Sequence, residues 1–328
     1  MPGDYQSLTI TEIQKSLLTV NNSKFTAQAV NSRRYKDLNN IELYNMNLFS
    51  SKKMIFVVLA VIISVALGAY IYYSDHRSLR HLPASIIPID QGITVAYLVK
   101  LPQGYLLFDT GYAADYNRFA SELAKRNISM SDIRYCLLSH HHDDHAGYIN
   151  TLLKNNSNIM VITHERSVPL LASGKNNTAN GGGIVNRRIY ALFRFKQIIT
   201  PEWDLSFPPF TMRKSDILLK ETAMSLTSDT ARNLKVLHTP GHTTDSISLV
   251  VDDTYLLCGD LASNFLNWAG ASQLTLFNEN VAQVYRSWRM VYGEGVKVIV
   301  PAHGKPFSAD LLKENFNVYK QEELVKFF

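Results

Sequence analysis

Between positions 139 and 147 the chain reads Ser139-His140-His141-His142-Asp143-Asp144-His145-Ala146-Gly147, four histidines and two aspartates in six consecutive positions. Imidazoles and carboxylates packed this closely are costly to bury unless something pairs with them. A divalent metal ion is the simplest such partner. The apolar run Tyr135-Cys136-Leu137-Leu138 ahead of the cluster predicts a short buried strand, and residues 148–153 after it predict a turn entering a helix. The histidines therefore fall at a strand end, where a loop aims several side chains at one point. His140 and His142, two apart, converge on one ion, and Asp144 and His145 turn toward a second beside it. A solvated loop rich in histidine by chance is the plain alternative, but H-x-H-x-D-H is far more specific than a single histidine pair.

A hydrophobic fraction of 46% and a charged fraction of 19% make a packed core feasible over 328 residues and argue against wholesale disorder. The net charge of +5 is mild for this length, and no long Lys/Arg run or aromatic-basic motif accompanies it, so no nucleic-acid partner is expected. Cys136 and Cys258 are the only cysteines. They exclude a disulfide framework by count and read as two buried thiols.

Residues 1–53 are mixed and polar, and residues 54–73 carry no formal charge. At ~1.5 Å per residue that apolar run spans roughly 30 Å, the thickness of a bilayer core. Lys52 and Lys53 flank its start, and Tyr70, Tyr72 and Tyr73 suit the far interface. The expectation is one transmembrane helix or signal anchor at 54–73, with the lipid bilayer as partner. Residues 1–53 are then a cytoplasmic tail and the rest is extracytoplasmic, although Arg77 and Arg80 weaken the charge asymmetry. A cleavable signal peptide with a small-residue site at Ala66 and Gly68 is the rival, disfavoured by the aromatics that follow. Met46 opens a short basic lead into the apolar run, which suggests a natural start there; a native species retaining Met1, found by intact mass, would end that idea.

From about residue 82 the pattern becomes that of a globular α/β domain running to 328. Strands are expected at 85–89, 93–101, 104–108, 158–163, 233–238, 246–251, 254–258 and 296–300, with turns at Gln103-Gly104 and Asp252-Asp253. Helices are expected at 115–126, with Asp115 as N-cap, at 165–171, and from Ala309 onward. Val281, Val284, Tyr285, Trp288 and Val291 recur at helical spacing and read as a core-facing stripe. Residues 172–215 break the rhythm: a Gly/Asn loop, an aromatic segment and a Pro-rich stretch through Trp203, Phe207 and Phe210. They read as an insertion, either a surface element with its own apolar cluster or a lid, wall or membrane-resting patch.

Each candidate ligand stands where an apolar strand gives way to a loop: His140, His142, Asp144 and His145, then His242, Asp260 and His303. Imidazole and carboxylate without thiolate suit zinc, iron or manganese.

His140-x-His142-x-Asp144-His145, Thr239-Pro240-Gly241-His242-Thr243, Gly259-Asp260 and Ala302-His303-Gly304, with Asp109-Thr110-Gly111 upstream, resemble the metallo-β-lactamase superfamily. The resemblance covers about residues 85–307. It implies an αββα sandwich with a dinuclear site between two sheets. By that likeness His140, His142 and His242 hold one metal, Asp144, His145 and His303 hold the other, and Asp260 bridges them. Two divalent ions, zinc first, would activate a water molecule to hydrolyse a small-molecule substrate, with Asp144 carrying the proton to the leaving group. Asp109 would hold the ligand loops by hydrogen bonds. Histidine at 142, where diiron members carry Glu, argues against oxygen reduction.

Tyr148 and Asp245 depart from the family pattern, which commonly has Gly at both, and stand where they would bear on substrate choice. His141 and Asp143 occupy its variable positions, with Asp143 expected to face outward. His238 is expected to be structural, and His76, His81 and His164 ordinary. Ester or lactone hydrolysis, as in the acyl-homoserine lactonase branch, is the leading expectation. A subclass B3-like β-lactamase, a thioesterase and a phosphodiesterase are alternatives, and only about 25 residues after His303 count against the glyoxalase II branch. A membrane-tethered, non-enzymatic binding module is the alternative outside catalysis.

Overall fold

The computed structural model describes residues 55–56, 58–59, 62–64, 68, 82–177, 181–199, 205–226 and 232–326. The chain divides into two units, Met1–Ala69 and Tyr70–Phe328, and the second carries the fold that follows. The expected tail, His76 and His81 lie outside the described residues, as does most of the 54–73 span. No helix among the described residues is long and apolar enough to cross a membrane.

In chain order the strands are β1 (Ile86–Asp90), β2 (Val95–Leu101), β3 (Gly104–Phe108), β4 (Ile133–Leu137), β5 (Met160–His164), β6 (Gly183–Ile184), β7 (Ile217–Leu219), β8 (Ala223–Ser225), β9 (Leu234–His238), β10 (Ile247–Val251), β11 (Tyr255–Leu257), β12 (Phe277–Asn278), β13 (Val298–Val300) and β14 (Phe307–Ser308). Among the described residues of the domain the α-helices are α1 (Tyr116–Lys125), α2 (Asp143–Ala146), α3 (Ile149–Asn155), α4 (Ser167–Ser173), α5 (Arg187–Ile199), α6 (Val281–Gly293) and α7 (Asp310–Glu314).

Two six-stranded sheets result, ordered β1-β2-β3-β4-β5-β7 and β14-β13-β11-β10-β9-β8. In the first, β1 to β3 form an antiparallel meander and β3, β4, β5 and β7 run parallel. Both short hairpin turns lie where the sequence puts them, with Gly104, Asp252 and Asp253 at positive φ.

Alternation along each strand sends side chains to opposite faces, and three apolar layers follow. Tyr97, Val99, Leu106 and Leu137 meet Val236, Leu249, Leu257 and Val300 between the sheets. On the outer face of the first sheet, Leu98, Leu107 and Cys136 pack on Phe119 of α1 and Ile149 and Leu152 of α3. On the outer face of the second, Val250, Leu256 and Ile299 pack on the α6 stripe Val284, Trp288 and Val291. Helices thus cover both outer faces of two stacked sheets, the αββα arrangement the motifs imply. Each fully buried large apolar side chain contributes roughly 1.5–3 kcal/mol of transfer free energy.

Some expectations need correction. Asp115 stands at the N-cap position of α1, as expected, but its side chain makes no capping bond; its carboxylate accepts from the Tyr112 N–H (3.1 Å) and serves the preceding turn instead. The closing helix is only the five residues of α7. Tyr148 is turned wholly into the core, where its hydroxyl accepts from Gln91 Nε2 (2.6 Å) and its ring meets Phe119, so it bears on packing rather than on substrate choice. Both cysteines are buried and free, as expected.

Candidate metal centre

The parallel and antiparallel pairings bring the ends of β4, β9, β11 and β13 to one edge of the sandwich. There the Ile247 N–H donates to the Ser139 carbonyl (2.8 Å) and the Val95 N–H to the Ala302 carbonyl (2.9 Å), tying the sheets together beneath the ligand loops. Gly259, at φ +52°, lies against Ser139: a Cβ there would sit 2.4 Å from the serine Oγ. Only glycine lets the β11 loop pass that close while bending toward Asp260.

All seven expected ligands gather at this edge. His242 Nε2 lies 3.1 Å from His140 Nε2 and 3.1 Å from His142 Nδ1. Ligand nitrogens at tetrahedral zinc are roughly 3.3 Å apart, given Zn–N bonds of roughly 2.0–2.1 Å. His303 Nε2 lies 3.2 Å from Asp144 Oδ2 and 3.3 Å from Asp260 Oδ1, while His145 Nε2 lies 3.4 Å from Asp260 Oδ1 and 3.6 Å from Asp144 Oδ1. Asp260 also reaches toward the first trio, its Oδ2 being 3.5 Å from His242 Nε2. Three overlapping groups could hold an ion: His140, His142 and His242; His140, His145 and Asp260; and Asp144, His145 and His303.

The donor set fits cations on its own chemistry. The outer nitrogens of four histidines are engaged with oxygens: His242 Nδ1 with the Phe277 carbonyl (2.8 Å), His303 Nδ1 with the Ile93 carbonyl (2.9 Å), His140 Nδ1 with Ser139 Oγ (3.0 Å) and His145 Nδ1 with Asp109 Oδ2 (2.9 Å). Each tautomer so fixed turns a lone pair inward. His145 Nε2 and Asp260 Oδ1 are buried without a hydrogen-bond partner. Burial, reinforced by neighbouring imidazoles, pushes His140 and His142 well below the usual histidine range, and burial also lowers His242, so this trio stays neutral. For His145 burial opposes charge, but Asp144, Asp109 and Asp260 outweigh it and raise the pKa. The same contest, won by Asp260 and Asp144, holds His303 at about 9. The carboxylate side of the site is thus built to attract positive charge.

A sequence-family profile described as the metallo-beta-lactamase superfamily matches residues 89–303. The chain belongs to that superfamily. It is 26% identical over 244 residues to "Probable metallo-hydrolase YqjP" of Bacillus subtilis (strain 168), covering 68% of this chain and 70% of the relative. Among solved structures, the Cronobacter sakazakii metallo-beta-lactamase carrying a HARLDQ motif, in a mutant form, aligns at TM-score 0.48 and 23% identity over 67% of this chain and 77% of its own. BJP-1, a subclass B3 metallo-beta-lactamase of Bradyrhizobium japonicum, aligns at 0.45 and 21%, over 67% and 75%. With the superfamily match, the curated metallo-hydrolase relative and its clustered His/Asp side chains, the chain is a superfamily metallo-hydrolase.

Around the ligands, Asp109 does more than steady one loop. At φ +60°, it accepts from the Ser139 N–H (2.6 Å), from Ser139 Oγ (2.8 Å) and from His145 Nδ1. Because Ser139 Oγ in turn meets His140 Nδ1, one carboxylate orients a histidine of each trio. Asp143 is not outward-facing but buried; its N–H donates to Asn176 Oδ1 (2.8 Å) and its Oδ1 accepts from Asn176 Nδ2 (2.7 Å). His141 is buried too, with Nδ1 on Asp245 (3.0 Å) and Nε2 accepting from the Asn177 N–H (3.0 Å), while Ser167 Oγ also donates to Asp245 (2.8 Å). Asp245 therefore braces His141 against Ser167 of α4 and does not line the cavity, and it is His141 that ties the cluster to the insertion. His238 is structural, stacked at 4.0 Å on His164, which is buried rather than ordinary.

A cavity of about 310 Å³ opens over the ligands. The insertion supplies part of its wall through Asn176, Phe193, Lys196 and Leu205, while Phe207 and Phe210 pack into the core beneath. Asn176, Lys196 and the carbonyl of Phe277 carry no signal in the sequence, because only the fold brings them to the site.

Proposed function

We propose that this chain hydrolyses an ester, lactone or related acyl bond, using two divalent metal ions with zinc as the first candidate. The observation that carries the reading is the pattern of inward lone pairs: the outer nitrogens of His140, His145, His242 and His303 are engaged, and their inner nitrogens converge with Asp144 and Asp260. His140, His142 and His242 would hold one ion, Asp144, His145 and His303 the other, with Asp260 between them. Such ions, when bound, supply Lewis acidity and bring the pKa of water toward neutrality.

The chain's own residues supply the rest. Asp109 and Ser139 fix the ligand rings, so little reorganisation accompanies the reaction. Ile93, Phe193, Phe265 and Leu276 shield the cavity from bulk water and strengthen every electrostatic contact inside it. Asp144 lines the cavity, which supports a role for its carboxylate in taking a proton and passing it to the leaving oxygen, nitrogen or sulfur. The apolar run at 54–73 supports a further reading, that a membrane anchor holds this domain at the extracytoplasmic face.

The test is a panel of a lactone, a thioester, a cephalosporin and a phosphodiester, assayed with zinc-loaded protein and after chelation. One dominant, chelator-sensitive activity on an acyl substrate supports the reading. Dominant phosphodiester cleavage, or loaded protein inert to the whole panel, would refute it.

A further inference from the structure

Among the described residues of the domain, seven large apolar side chains are exposed, and they do not scatter. Leu192, Phe195 and Ile198 recur three apart along α5, on the side that the buried Ile189 and Phe193 leave outward; Phe195 and Ile198 are 63% and 74% exposed. Trp268, 63% exposed, stands on the turn beside the start of α5, where Asn186 Nδ2 donates to the carbonyls of Ala269 (3.2 Å) and Gly270 (3.1 Å). Val318 precedes Tyr319, whose hydroxyl donates to the same Gly270 carbonyl. Ile93 and Phe265 line the cavity that Phe193 of α5 also walls. Exposed apolar residues are ordinary when single; gathered about one helix they mark a surface that meets a partner.

The charge on that helix selects the partner. Residues 187–199 carry four Lys/Arg and no Asp/Glu, and Arg187, Arg188 and Arg194 are exposed. A second copy of the chain would bring the same positive face to meet it and be repelled. An anionic lipid surface supplies both things the face lacks: an apolar phase for Phe195, Ile198 and Trp268, and fixed negative charge for the arginines. It also needs no matching shape. We propose that the outward face of α5, with Trp268 beside it, docks on a bilayer containing anionic phospholipid. The aromatic and aliphatic side chains enter the interface, and the arginines pair with lipid phosphates. Docking of this kind is independent of which bond the metal centre cuts.

A reporter on the face tests this. Phe195→Trp is placed in the full-length protein, in vesicles of phosphatidylcholine with brominated acyl chains, prepared with and without phosphatidylglycerol. The unchanged chain gives the background of its own three tryptophans. Any tether from elsewhere in the chain acts equally in both vesicles, so the difference between them reports docking of this face. The added emission is quenched in the mixed vesicles, and the quenching is lost in phosphatidylcholine alone and at high salt. Arg187→Gln and Arg194→Gln each lower the ratio of docked to free protein by about fivefold, the factor expected for one basic residue at an anionic surface. Ile198→Trp replaces the reporter if Phe195→Trp misfolds. Quenching that is equal in the two vesicles, or unchanged by the arginine variants, overturns the proposal. So does added emission that is unquenched in the mixed vesicles; if it is also blue-shifted, protein rather than lipid covers the face.

Discussion

At the scale of single residues, the site depends on one buried carboxylate that touches no expected metal position. Replacing Asp109 with Ala would leave the Ser139 N–H and His145 Nδ1 without their acceptor. Each buried unsatisfied donor costs about 1–3 kcal/mol, and loss of such outer partners weakens metal binding by about 10–100-fold. Asp109→Ala is therefore expected to lower zinc affinity by that factor in competition with a chromophoric chelator. A second prediction concerns the stacked pair His164 and His238. Burial, with the charges of His238 and Arg166, depresses His164 to about 4, against a field from Asp245 that raises it. Its Nδ1 accepts from the Arg166 N–H (3.1 Å), which requires a lone pair there. The unfolded chain takes up the proton first, near 6.5. Stability from the neutral ring is thus fully present above that pH and lost as pH falls toward 4. Thermal unfolding should show the melting temperature falling across this window, and His164→Phe should flatten that fall.

At the scale of elements, the ligand loops are held by partners far away in sequence. Trp288 of α6 donates from Nε1 to the Leu261 carbonyl (2.8 Å), one residue past Asp260. Trp288→Phe keeps an aromatic ring in the stripe but orphans that carbonyl, and is expected to cost about 1–3 kcal/mol in urea unfolding. The insertion is pinned likewise, through Asn176 on Asp143 and the Asn177 N–H on His141. Asn176→Ala should loosen the wall carrying Phe193 and Lys196, raising KM for the best panel substrate by several-fold with a smaller change in kcat. Nine strands, the clustered His and Asp positions and the α6 stripe were legible because each is a local pattern: a period of two or 3.6, or an apolar run ending in His or Asp; the short strands β6, β7, β8, β12 and β14 carry no such pattern. The short α7, the burial of Asp143 and the inward turn of Tyr148 were not, because each is decided by a partner in another element: Asn176 for Asp143, Gln91 and Phe119 for Tyr148.

At the scale of the whole molecule, the fold is a device for bringing four strand ends to one edge. The sequence announces the ends, through Asp144, His242, Asp260 and His303, but not the wall around them. The insertion's contribution to the cavity depends on how α5 docks against the second sheet. In that docking Ile189 and Phe193 join the α6 core, and no residue pattern in 172–215 encodes it. The charge layout also has a global consequence. Without metal, Asp260 and Asp144 hold His303 protonated, with a pKa near 9. That stabilisation is complete below the unfolded value of 6.5 and lost as pH rises through about 9. Chelated protein should therefore lose melting temperature between these values, while zinc-loaded protein should hold it, because bound ions replace the proton.

The two-ion centre is tested most directly by elemental analysis of zinc-loaded protein beside two single-ligand variants. The wild type is predicted to bind about two equivalents per chain, with His242→Ala and His303→Ala each binding about one, as the two histidine-carboxylate groups require. Wild-type protein that binds no zinc, iron or manganese after loading would contradict the account at its centre.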